Sequence, residues 1–411
     1  MLTRRHFSMG AVSALGATRV FGANDKVRLG LIGCGGRGSQ DWNTFLAQPD
    51  VDPTAVCDVY APFADRAVFT AAGKPTAHRD YRQLLERKDL DAVIVATPDH
   101  WHALIVIAAC EAGKDVYCEK PLSLTVAEGR KMVTAARKHD RVVQTGSQQR
   151  SGAHYAEAVE FIRGGGIGEV HRIQAGMQRN IYPGLKPADF DASKLDWEMW
   201  LGPAPKVKFD AFRTIYNFRW FWDYSGGQMT NWGAHELDIA RWILNADAPL
   251  TVSGTGGRYA LTDGGETPDV QHVAYQFPKA IVTWTTSEVA QGNKVSLDIY
   301  GSKGMMTLLR TGFKVTPEIV NKMPAMAPVE VKGGDLDARH ARNFLDCVKS
   351  RKKPNADIEE GHRTAVMAHL GNISTRLGRT LKWDPAAEQI VGDKDANTWL
   401  DKAYRAPWKL T

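Results

Sequence analysis

The sequence has few cysteines, no strong charge of either sign and no long apolar run beyond its N-terminus. Its five cysteines are odd in number and scattered, so they give no disulfide framework. The net charge of +6 is modest for 411 residues, and no basic run is interleaved with aromatic residues, which argues against a nucleic-acid partner. No segment after the N-terminus approaches membrane-spanning length, so we expect no stable membrane insertion.

The chain does have the composition of a globular protein. Apolar residues make up 43% of it and charged residues 24%, and its 411 residues can bury a sizeable core. We find no internal repeats and no low-complexity segments. The length therefore predicts two domains.

The N-terminus carries a twin-arginine signature, TRRHF at residues 3–7, followed by a mildly apolar stretch at Met9–Gly22. We interpret residues 1–24 as a signal peptide, cleaved near Ala23, which predicts a periplasmic or secreted protein. The alternative is a cytosolic protein with a chance pair of arginines. Twin-arginine substrates fold in the cytoplasm before export, so reduced cysteines that are buried as small hydrophobic residues are compatible with this route.

The stretch Val27–Tyr60 has the features of a dinucleotide-binding unit. A strand-like apolar run breaks into glycines that fit G-x-G-x-x-G as Gly33, Gly35 and Gly38, and a helical stretch follows. The first glycine permits a tight turn, the second lets backbone N–H groups approach a pyrophosphate, and the third allows close helix–strand packing. Asp58 ends the next apolar segment. A carboxylate at this place accepts a hydrogen bond from the ribose 2′-hydroxyl of NAD and repels the 2′-phosphate of NADP. The unit predicts NAD, with NADP less favoured; the alternative is an ordinary glycine turn.

Strand-like and helix-like segments then alternate, which predicts a doubly wound parallel sheet of the Rossmann type over residues 25–150. Between residues 151 and 385 several segments alternate apolar and polar residues. That period of two predicts a second α/β domain with an open, mainly antiparallel sheet. Helices near its end are predicted to pack back onto the body, and residues 386–411 form a C-terminal tail.

Two polar patches follow predicted strands of the parallel sheet. The first is TPDHWH at residues 97–102, and the second is Glu119-Lys120-Pro121, one strand later. Ligands bind at the carboxyl edge of such a sheet, so both patches are placed above the nucleotide site. The alternative for the second patch is an ordinary polar turn.

A third patch lies in Gly227–Leu244, which we predict to be one helix. Its spacing would place Asn231, His235 and Asp238 on one face. A histidine on a helix is also commonly a structural residue with satisfied hydrogen bonds, and that alternative stays open.

In this order the motifs resemble those of the Gfo/Idh/MocA oxidoreductases, over nearly the whole mature chain. The resemblance rests on Gly33–Gly38, Thr97-Pro98 with His102, Glu119-Lys120-Pro121, Gly226-Gly227 with His235 and Asp238, and Ile299–Gly304. The most specific of these elements is Glu119-Lys120-Pro121 at its distance from the glycine loop. Exported members from sugar-degrading bacteria look most similar, because they share the leader and Leu195-Asp196-Trp197.

The resemblance implies oxidoreduction of a sugar, polyol or glycoside hydroxyl by a homo-oligomer, a dimer or tetramer. It implies that Lys120 positions the reacting hydroxyl and that His235 is the general acid/base. The predicted cofactor-binding residues are Gly33, Gly35, Gly36, Arg37, Gly38, Asp58, Thr97, Pro98, His102, Glu119 and Lys120. The predicted substrate residues are Arg150, Tyr182, Asn231, Trp232 and Asp238. No metal site is predicted.

The chain departs from the family at one position, because Asn231 stands where an aspartate is usual, four residues before the histidine. An amide can hydrogen-bond to imidazole or substrate, but it does not stabilise an imidazolium as a carboxylate does. Either another acid, such as Asp238 or Glu236, replaces it, or the proton chemistry differs.

Aromatic residues indicate the substrate class. Six of the twelve tryptophans fall between Trp197 and Trp242, and Tyr182 is nearby. Aromatic faces that stack on sugar C–H groups would suit a carbohydrate cleft. The alternative, that the rings fill the core between domains, accounts for at least half of them.

Three hypotheses follow. The first is a periplasmic NAD-dependent oxidoreductase that acts on a carbohydrate and holds its cofactor tightly. The second is an NAD-dependent glycoside hydrolase or lyase that works by oxidation, elimination, hydration and re-reduction. The third is a non-catalytic sugar-binding relative, supported only by Asn231.

Overall fold

The computed structural model describes residues 25–410, so the predicted signal peptide lies outside the described residues. The first sheet consists of β1 (Val27–Ile32), β2 (Val51–Cys57), β3 (Thr76–His78), β4 (Ala92–Val95), β5 (Asp115–Cys118) and β6 (Val143–Thr145). Its strands are all parallel and lie in the order β3-β2-β1-β4-β5-β6. The order reverses between β1 and β4, which is where such sheets bind ligands.

Helices cover both faces of this sheet: α1 (Gly36–Leu46), α2 (Ala61–Thr70), α3 (Tyr81–Leu85), α4 (His102–Glu111) and α5 (Val126–Lys138). Successive side chains of β4 enter opposite cores. Val93 and Val95 pack with α3, α4 and α5, whereas Ile94 packs with α1 and α2. The doubly wound arrangement that the sequence predicts is therefore confirmed.

The second sheet has ten strands. They are β7 (Val170–Asn180), β8 (Thr251–Gly257), β9 (Val270–Gln276), β10 (Ile281–Ser287), β11 (Val289–Gly301), β12 (Gly304–Leu309), β13 (Gly312–Pro317), β16 (Val329–Lys332), β17 (Leu381–Asp384) and β18 (Gln389–Ile390). A small hairpin, β14 (Ile319–Val320) and β15 (Met323–Pro324), stands apart from it. Among the described strands of this second sheet, only β7 and β10 pair in parallel, so the predicted mainly antiparallel sheet is confirmed.

The other helices are α6 (Ala153–Arg163), α7 (Trp197–Leu201), α8 (Gly227–Asn231), α9 (Gly233–Leu244), α10 (Leu336–Ser350), α11 (Ile358–Leu377) and α12 (Lys394–Asn397). Two of them return to the first sheet. Phe344 of α10 packs edge-on against Phe45 and Tyr117, and Glu359 of α11 pairs with Arg130 at 3.0 Å. The two sheets are thus joined by contacts far apart in sequence.

The predicted C-terminal tail, residues 386–411, contributes β18 to the edge of the second sheet and then crosses to the first. The Tyr404 hydroxyl donates to Glu128 Oε1 at 2.6 Å. The Trp408 ring packs edge-on against Trp101 with ring centroids 4.8 Å apart. The tail therefore lies against the nucleotide domain of its own chain.

All five cysteines are buried and free of disulfides, in agreement with their interpretation as small hydrophobic residues. In residues 25–410 we find no helix with the length and apolarity needed to cross a membrane.

Candidate active site

A cavity of about 430 Å³ lies at the carboxyl edge of β1, β4 and β5. Its nucleotide-domain wall includes nine residues of the predicted cofactor set, namely Gly33, Gly35, Gly36, Arg37, Asp58, Thr97, Pro98, Glu119 and Lys120. Gly38 and His102 are not among the lining residues. The opposite wall comes from the second domain, through Leu195, Met199, Trp200, Ile215, Tyr216, Phe218 and Arg219.

Gly33 and Gly38 shape the turn beneath this cavity. Gly33 has φ +90°, and a Cβ there would lie 2.7 Å from the backbone of Ala96. A Cβ on Gly38 would lie 1.9 Å from the Gly33 carbonyl oxygen. Both glycines are thus required by the close approach of α1 to β1 and β4.

Replacing Gly38 by alanine is expected to lower the free energy of unfolding by about 1–3 kcal/mol, because the backbone must shift to admit the methyl group. Gly36→Ala is the matched control, because a Cβ there meets nothing within 4 Å in the described structure. Urea unfolding of both variants measures the difference, and equal losses would contradict this account of the turn.

Asp58 and Thr97 provide polar groups towards the cavity. Asp58 accepts the backbone N–H of Cys34 at 2.6 Å and that of Tyr60 at 2.8 Å, and its shielding from water raises its pKa to about 6. Each carboxylate oxygen keeps a lone pair for a hydroxyl donor. The Thr97 hydroxyl oxygen is buried and has no hydrogen-bond partner. The residues present therefore fit the ribose and amide groups of a dinucleotide.

Arg37 and His102 hold the loops that form the cavity. The Arg37 guanidinium forms ion pairs with Glu119 at 3.1 Å and with Asp41 and Asp337. Burial alone would lower the pKa of Arg37, but the three carboxylates outweigh this effect and raise it. The ring nitrogens of His102 lie 3.0 Å from the Thr97 carbonyl and 2.8 Å from the Pro121 carbonyl. Their side chains thus fix the turns around Thr97 and Lys120.

Lys120 lies at the floor of the cavity, beside the second domain. Its ammonium group donates to Asn231 Oδ1 at 2.8 Å and to the Asn231 carbonyl at 3.1 Å. Burial lowers the pKa of Lys120 to about 8, and the nearby Glu119 carboxylate opposes this effect. The group is therefore a cation at neutral pH that can lose its proton in mildly alkaline solution.

The bond to the Asn231 carbonyl also explains why the predicted single helix is divided. The Asn231 carbonyl is directed to Lys120, and the His235 amide donates to the Trp232 carbonyl at 3.0 Å instead. The helix therefore breaks at Trp232 into α8 and α9. As a result, Asn231 and Asp238 lie on different helices rather than on one continuous helical face.

The side chain of Asn231 begins a chain of hydrogen bonds. Its amide donates to Gln228 Oε1 at 3.1 Å, and the Gln228 amide donates to Glu288 Oε1 at 2.7 Å. Glu288 in turn forms a two-point ion pair with Arg179, at 2.8 and 2.6 Å. A carboxylate only accepts and an ammonium only donates, so Glu288 and Lys120 together fix the orientation of both amides. We call Lys120–Asn231–Gln228–Glu288 the amide relay.

His235 stands in the first turn of α9 and is 6% exposed. Its Nδ1 atom is buried without a hydrogen-bond partner. Burial lowers the pKa of His235 well below its usual value, and the positive charges of Arg310 and Lys120 lower it further. The ring is therefore neutral at pH 7, so it can accept a proton next to a cationic lysine.

Comparison with known proteins identifies the arrangement. Residues 27–147 match the model of the NAD-binding Rossmann fold of the Gfo/Idh/MocA oxidoreductases, and residues 183–410 match that of their C-terminal alpha/beta domain. The chain belongs to the Gfo/Idh/MocA oxidoreductase family. It is accordingly an NAD-binding oxidoreductase, as the sequence predicts.

Three relatives illustrate the range of similarity of this oxidoreductase. A myo-inositol 2-dehydrogenase of Thermotoga maritima is 24% identical over 374 residues, which cover 89% of this chain and all of that protein. A glycosyl hydrolase family 109 protein of a Shewanella species is 34% identical over 173 residues, 40% of this chain and 38% of that protein. The structure of a levoglucosan dehydrogenase with NADH and levoglucosan aligns with a TM-score of 0.67 at 19% identity, over 87% of this chain and 99% of that one.

Two acids that could replace the family aspartate in this oxidoreductase are already engaged. Asp238 forms a buried two-point ion pair with Arg150, at 2.7 and 2.8 Å. Glu236 accepts the Gln149 amide at 3.1 Å, and burial raises its pKa to about 7. The Lys120 ammonium is linked through the two amides of the relay to Glu288, a carboxylate that the sequence reasoning missed.

The predicted substrate residues of the oxidoreductase are not all brought together. Asn231 contacts Lys120, and the half-buried Trp232 ring lies 5.7 Å from the His235 ring. Arg150 and Asp238 form an ion pair with each other. Tyr182 is 69% exposed and is not a lining residue of the cavity. Contact of these side chains with substrate stays a prediction.

The second-domain wall was also missed, although Leu195-Asp196-Trp197 lay in a stretch already noted for its aromatic residues. Ile215 in this wall has φ +54°, which a β-branched residue rarely adopts. No residue pattern signals such a conformation in advance. The wall places Arg219 near Lys120, where its charge helps to lower the lysine pKa.

Proposed function

We propose that this oxidoreductase is a periplasmic enzyme that uses NAD to oxidise or reduce a hydroxyl-bearing carbon of a sugar, polyol or glycoside. The supporting observation is a cationic Lys120 in the wall of the cofactor cavity, with a neutral His235 near enough for the lysine charge to lower its pKa, although His235 does not itself line the cavity. The myo-inositol 2-dehydrogenase and levoglucosan dehydrogenase relatives support the substrate class.

Lys120 and His235 have different roles in the oxidation of the hydroxyl group. Bound NAD would supply the hydride acceptor. Lys120, held by Asn231, donates a hydrogen bond to the reacting hydroxyl oxygen and favours its deprotonation. His235, neutral at pH 7, takes the hydroxyl proton as general base and returns it in the reverse direction. The second-domain wall covers the cavity and limits access of water.

The periplasmic location rests on the twin-arginine signature at residues 3–7, and the five reduced cysteines fit a protein that folds before export. A compartment without a free NAD pool requires a tightly held cofactor. Turnover then needs either a second substrate that reoxidises the cofactor or an internal redox cycle.

Mass spectrometry of cofactor released from the purified protein, followed by a panel of sugars and polyols read at the nicotinamide absorbance, tests this function. We expect bound NAD and a substrate-dependent absorbance change with at least one compound. A protein with no bound nicotinamide and no affinity for added NAD would overturn the proposal.

A second candidate is redox-assisted cleavage of a glycoside, in which NAD is not consumed. The similarity to a glycosyl hydrolase family 109 protein, which covers 40% of this chain, favours it. Release of an aryl group from an aryl glycoside without added nucleotide would favour glycoside cleavage over net oxidation or reduction of a hydroxyl-bearing carbon.

We also propose that the enzyme is a dimer or tetramer. In residues 25–410, one face of β10 carries exposed or half-exposed side chains, and Ile281 on this face is 50% exposed. Sedimentation equilibrium measures the assembly state, and a monomer at micromolar concentration would contradict this proposal.

A further inference from the structure

Arg310 lies near His235, in the turn that joins β12 to β13, and its charge helps to lower the pKa of His235. Its guanidinium group stands over the Trp232 ring, 5.0 Å from the ring centroid. The Trp232 ring is in turn 5.7 Å from the His235 ring. The aromatic ring thus holds a positive charge next to the proposed general base.

The Arg310 guanidinium is half-buried and has no ionic partner in residues 25–410. Its Nε atom is buried and forms no hydrogen bond. Three other arginines near the site are paired: Arg37 with Glu119, Arg150 with Asp238 and Arg179 with Glu288. Shielded charges are normally paired, because loss of hydration is costly. The missing partner therefore indicates a ligand.

The carboxylate near Arg310 already has another hydrogen-bond partner. Glu236 is the nearby acid on α9, but it accepts from Gln149, and its raised pKa of about 7 leaves it partly protonated at neutral pH. The other groups whose positive charge lowers the pKa of His235 are Lys120, Arg37 and His340. In the wall of the cavity, Arg219 stacks on the Phe218 ring at 4.6 Å and forms no ion pair in the described structure. The surroundings of the reacting hydroxyl therefore favour a negative charge.

We propose that Arg310 binds an anionic group on the substrate, so that the enzyme acts on acidic saccharides in preference to neutral ones. This inference rests on the proposed function, whose substrate it narrows. A guanidinium fork matches a uronic acid carboxylate with two parallel hydrogen bonds and also fits a phosphate ester. The anion would lie at one end of the sugar and the reacting hydroxyl at Lys120 and His235.

The test compares glucuronate, glucose 6-phosphate and glucose, each with NAD-loaded enzyme, by kcat/KM and by calorimetric binding. We expect the acidic sugar that fits to exceed glucose by about 10- to 100-fold in kcat/KM. Glucuronate and glucose 6-phosphate distinguish a carboxylate from a phosphate ligand. In Arg310→Gln the acid-to-glucose ratio should fall by a similar factor, mainly through KM. Arg310→Lys should recover part of the ratio, because it keeps the charge but loses the fork.

Arg172→Gln is the matched control. Arg172 also stacks on an aromatic ring, 3.8 Å from the Tyr300 centroid, but it lies on β7 of the second sheet. This variant should keep the acid-to-glucose ratio of the unaltered enzyme. A ratio near one in the unaltered enzyme, or a ratio that Arg310→Gln leaves unchanged, would overturn the inference.

The outcomes separate this inference from the proposed function. If the enzyme oxidises glucose with the same kcat/KM as both acids, the proposed oxidoreduction is supported and the preference for anionic substrates is wrong. If an acid binds through Arg310 in calorimetry and no sugar is oxidised, the anion site stands and the proposed function is wrong. A dimer in which a carboxylate of a second copy pairs with Arg310 would also overturn the inference, and crosslinking with mass spectrometry detects it.

Discussion

Replacing Lys120 by alanine is expected to lower kcat by about 10²- to 10⁴-fold, the range typical for loss of a group that stabilises charge or moves a proton at the reacting atom. Lys120 lines the cavity, and its ammonium group donates to Asn231 Oδ1 at 2.8 Å. Its removal leaves the hydroxyl without the cation that favours deprotonation. Steady-state kinetics on the best substrate of the panel measure the loss.

Lys114→Met is the matched control for this variant. Lys114 is a second largely buried lysine of the nucleotide domain, and it donates to the Arg87 and Leu90 carbonyls at 2.7 and 2.9 Å. Its replacement should affect the free energy of unfolding and leave kcat within about threefold, because it has no contact with the cavity. Retention of a tenth or more of kcat in Lys120→Ala would show that the lysine is not required.

The pH profile tests the same assignment through charge. Lys120 is active as a cation and has a pKa of about 8, so kcat/KM should fall as pH rises through about 8. His235 is active as a neutral base, and its lowered pKa places the acid limb well below pH 6.5. Lys120→Arg should lose the limb near pH 8, because a guanidinium stays charged. Persistence of that limb in Lys120→Arg would assign it to another group.

Replacing Glu288 by glutamine is expected to lower the free energy of unfolding by about 3 kcal/mol, because Arg179 is then buried without a carboxylate. Glu288 is 2% exposed and the Arg179 side chain 15%. A glutamine can also turn its amide towards Gln228, so the orientation of the relay is no longer fixed and Asn231 can present a donor to Lys120. We expect kcat to fall at least about tenfold through this loss of positioning.

The double variant Glu288→Gln/Arg179→Met separates the two effects. It removes the unpaired charge, so much of the unfolding free energy should return, whereas kcat should stay low because the relay still lacks its carboxylate. Asp395→Asn serves as an exposed control, since its partner Arg379 also binds Asp393 and the carboxylate is 67% exposed. That change should cost less than about 1 kcal/mol. Recovery of kcat in the double variant would limit Glu288 to a role in stability.

Local features of the fold could be predicted from the sequence. The glycine turn after β1 and the carboxylate at Asp58 depend on residues within one βαβ unit, where spacing determines geometry. The start of α5 is equally local, because the Thr125 and Glu128 side chains cap each other's backbone amides. Such patterns need no knowledge of the rest of the chain.

The amide relay could not be predicted, because its members come from distant elements. Arg179 lies on β7 and Glu288 between β10 and β11, 109 positions later in the chain. From the sequence we predict either that another acid replaces the aspartate that is usual at position 231 or that the proton chemistry differs. The two acids named as replacements, Asp238 and Glu236, lie on the same predicted helix. The pairing of β7 with both β10 and β11 brings Glu288 near that helix, and only the sheet topology reveals it.

The packing of Trp408 against Trp101 links the C-terminal tail to the cofactor cavity. Trp101 lines the cavity, and the edge-on contact with the Trp408 ring supports it from behind. Local fraying of the tail would therefore expose this side of the cavity to water, although the tail itself does not line the cavity.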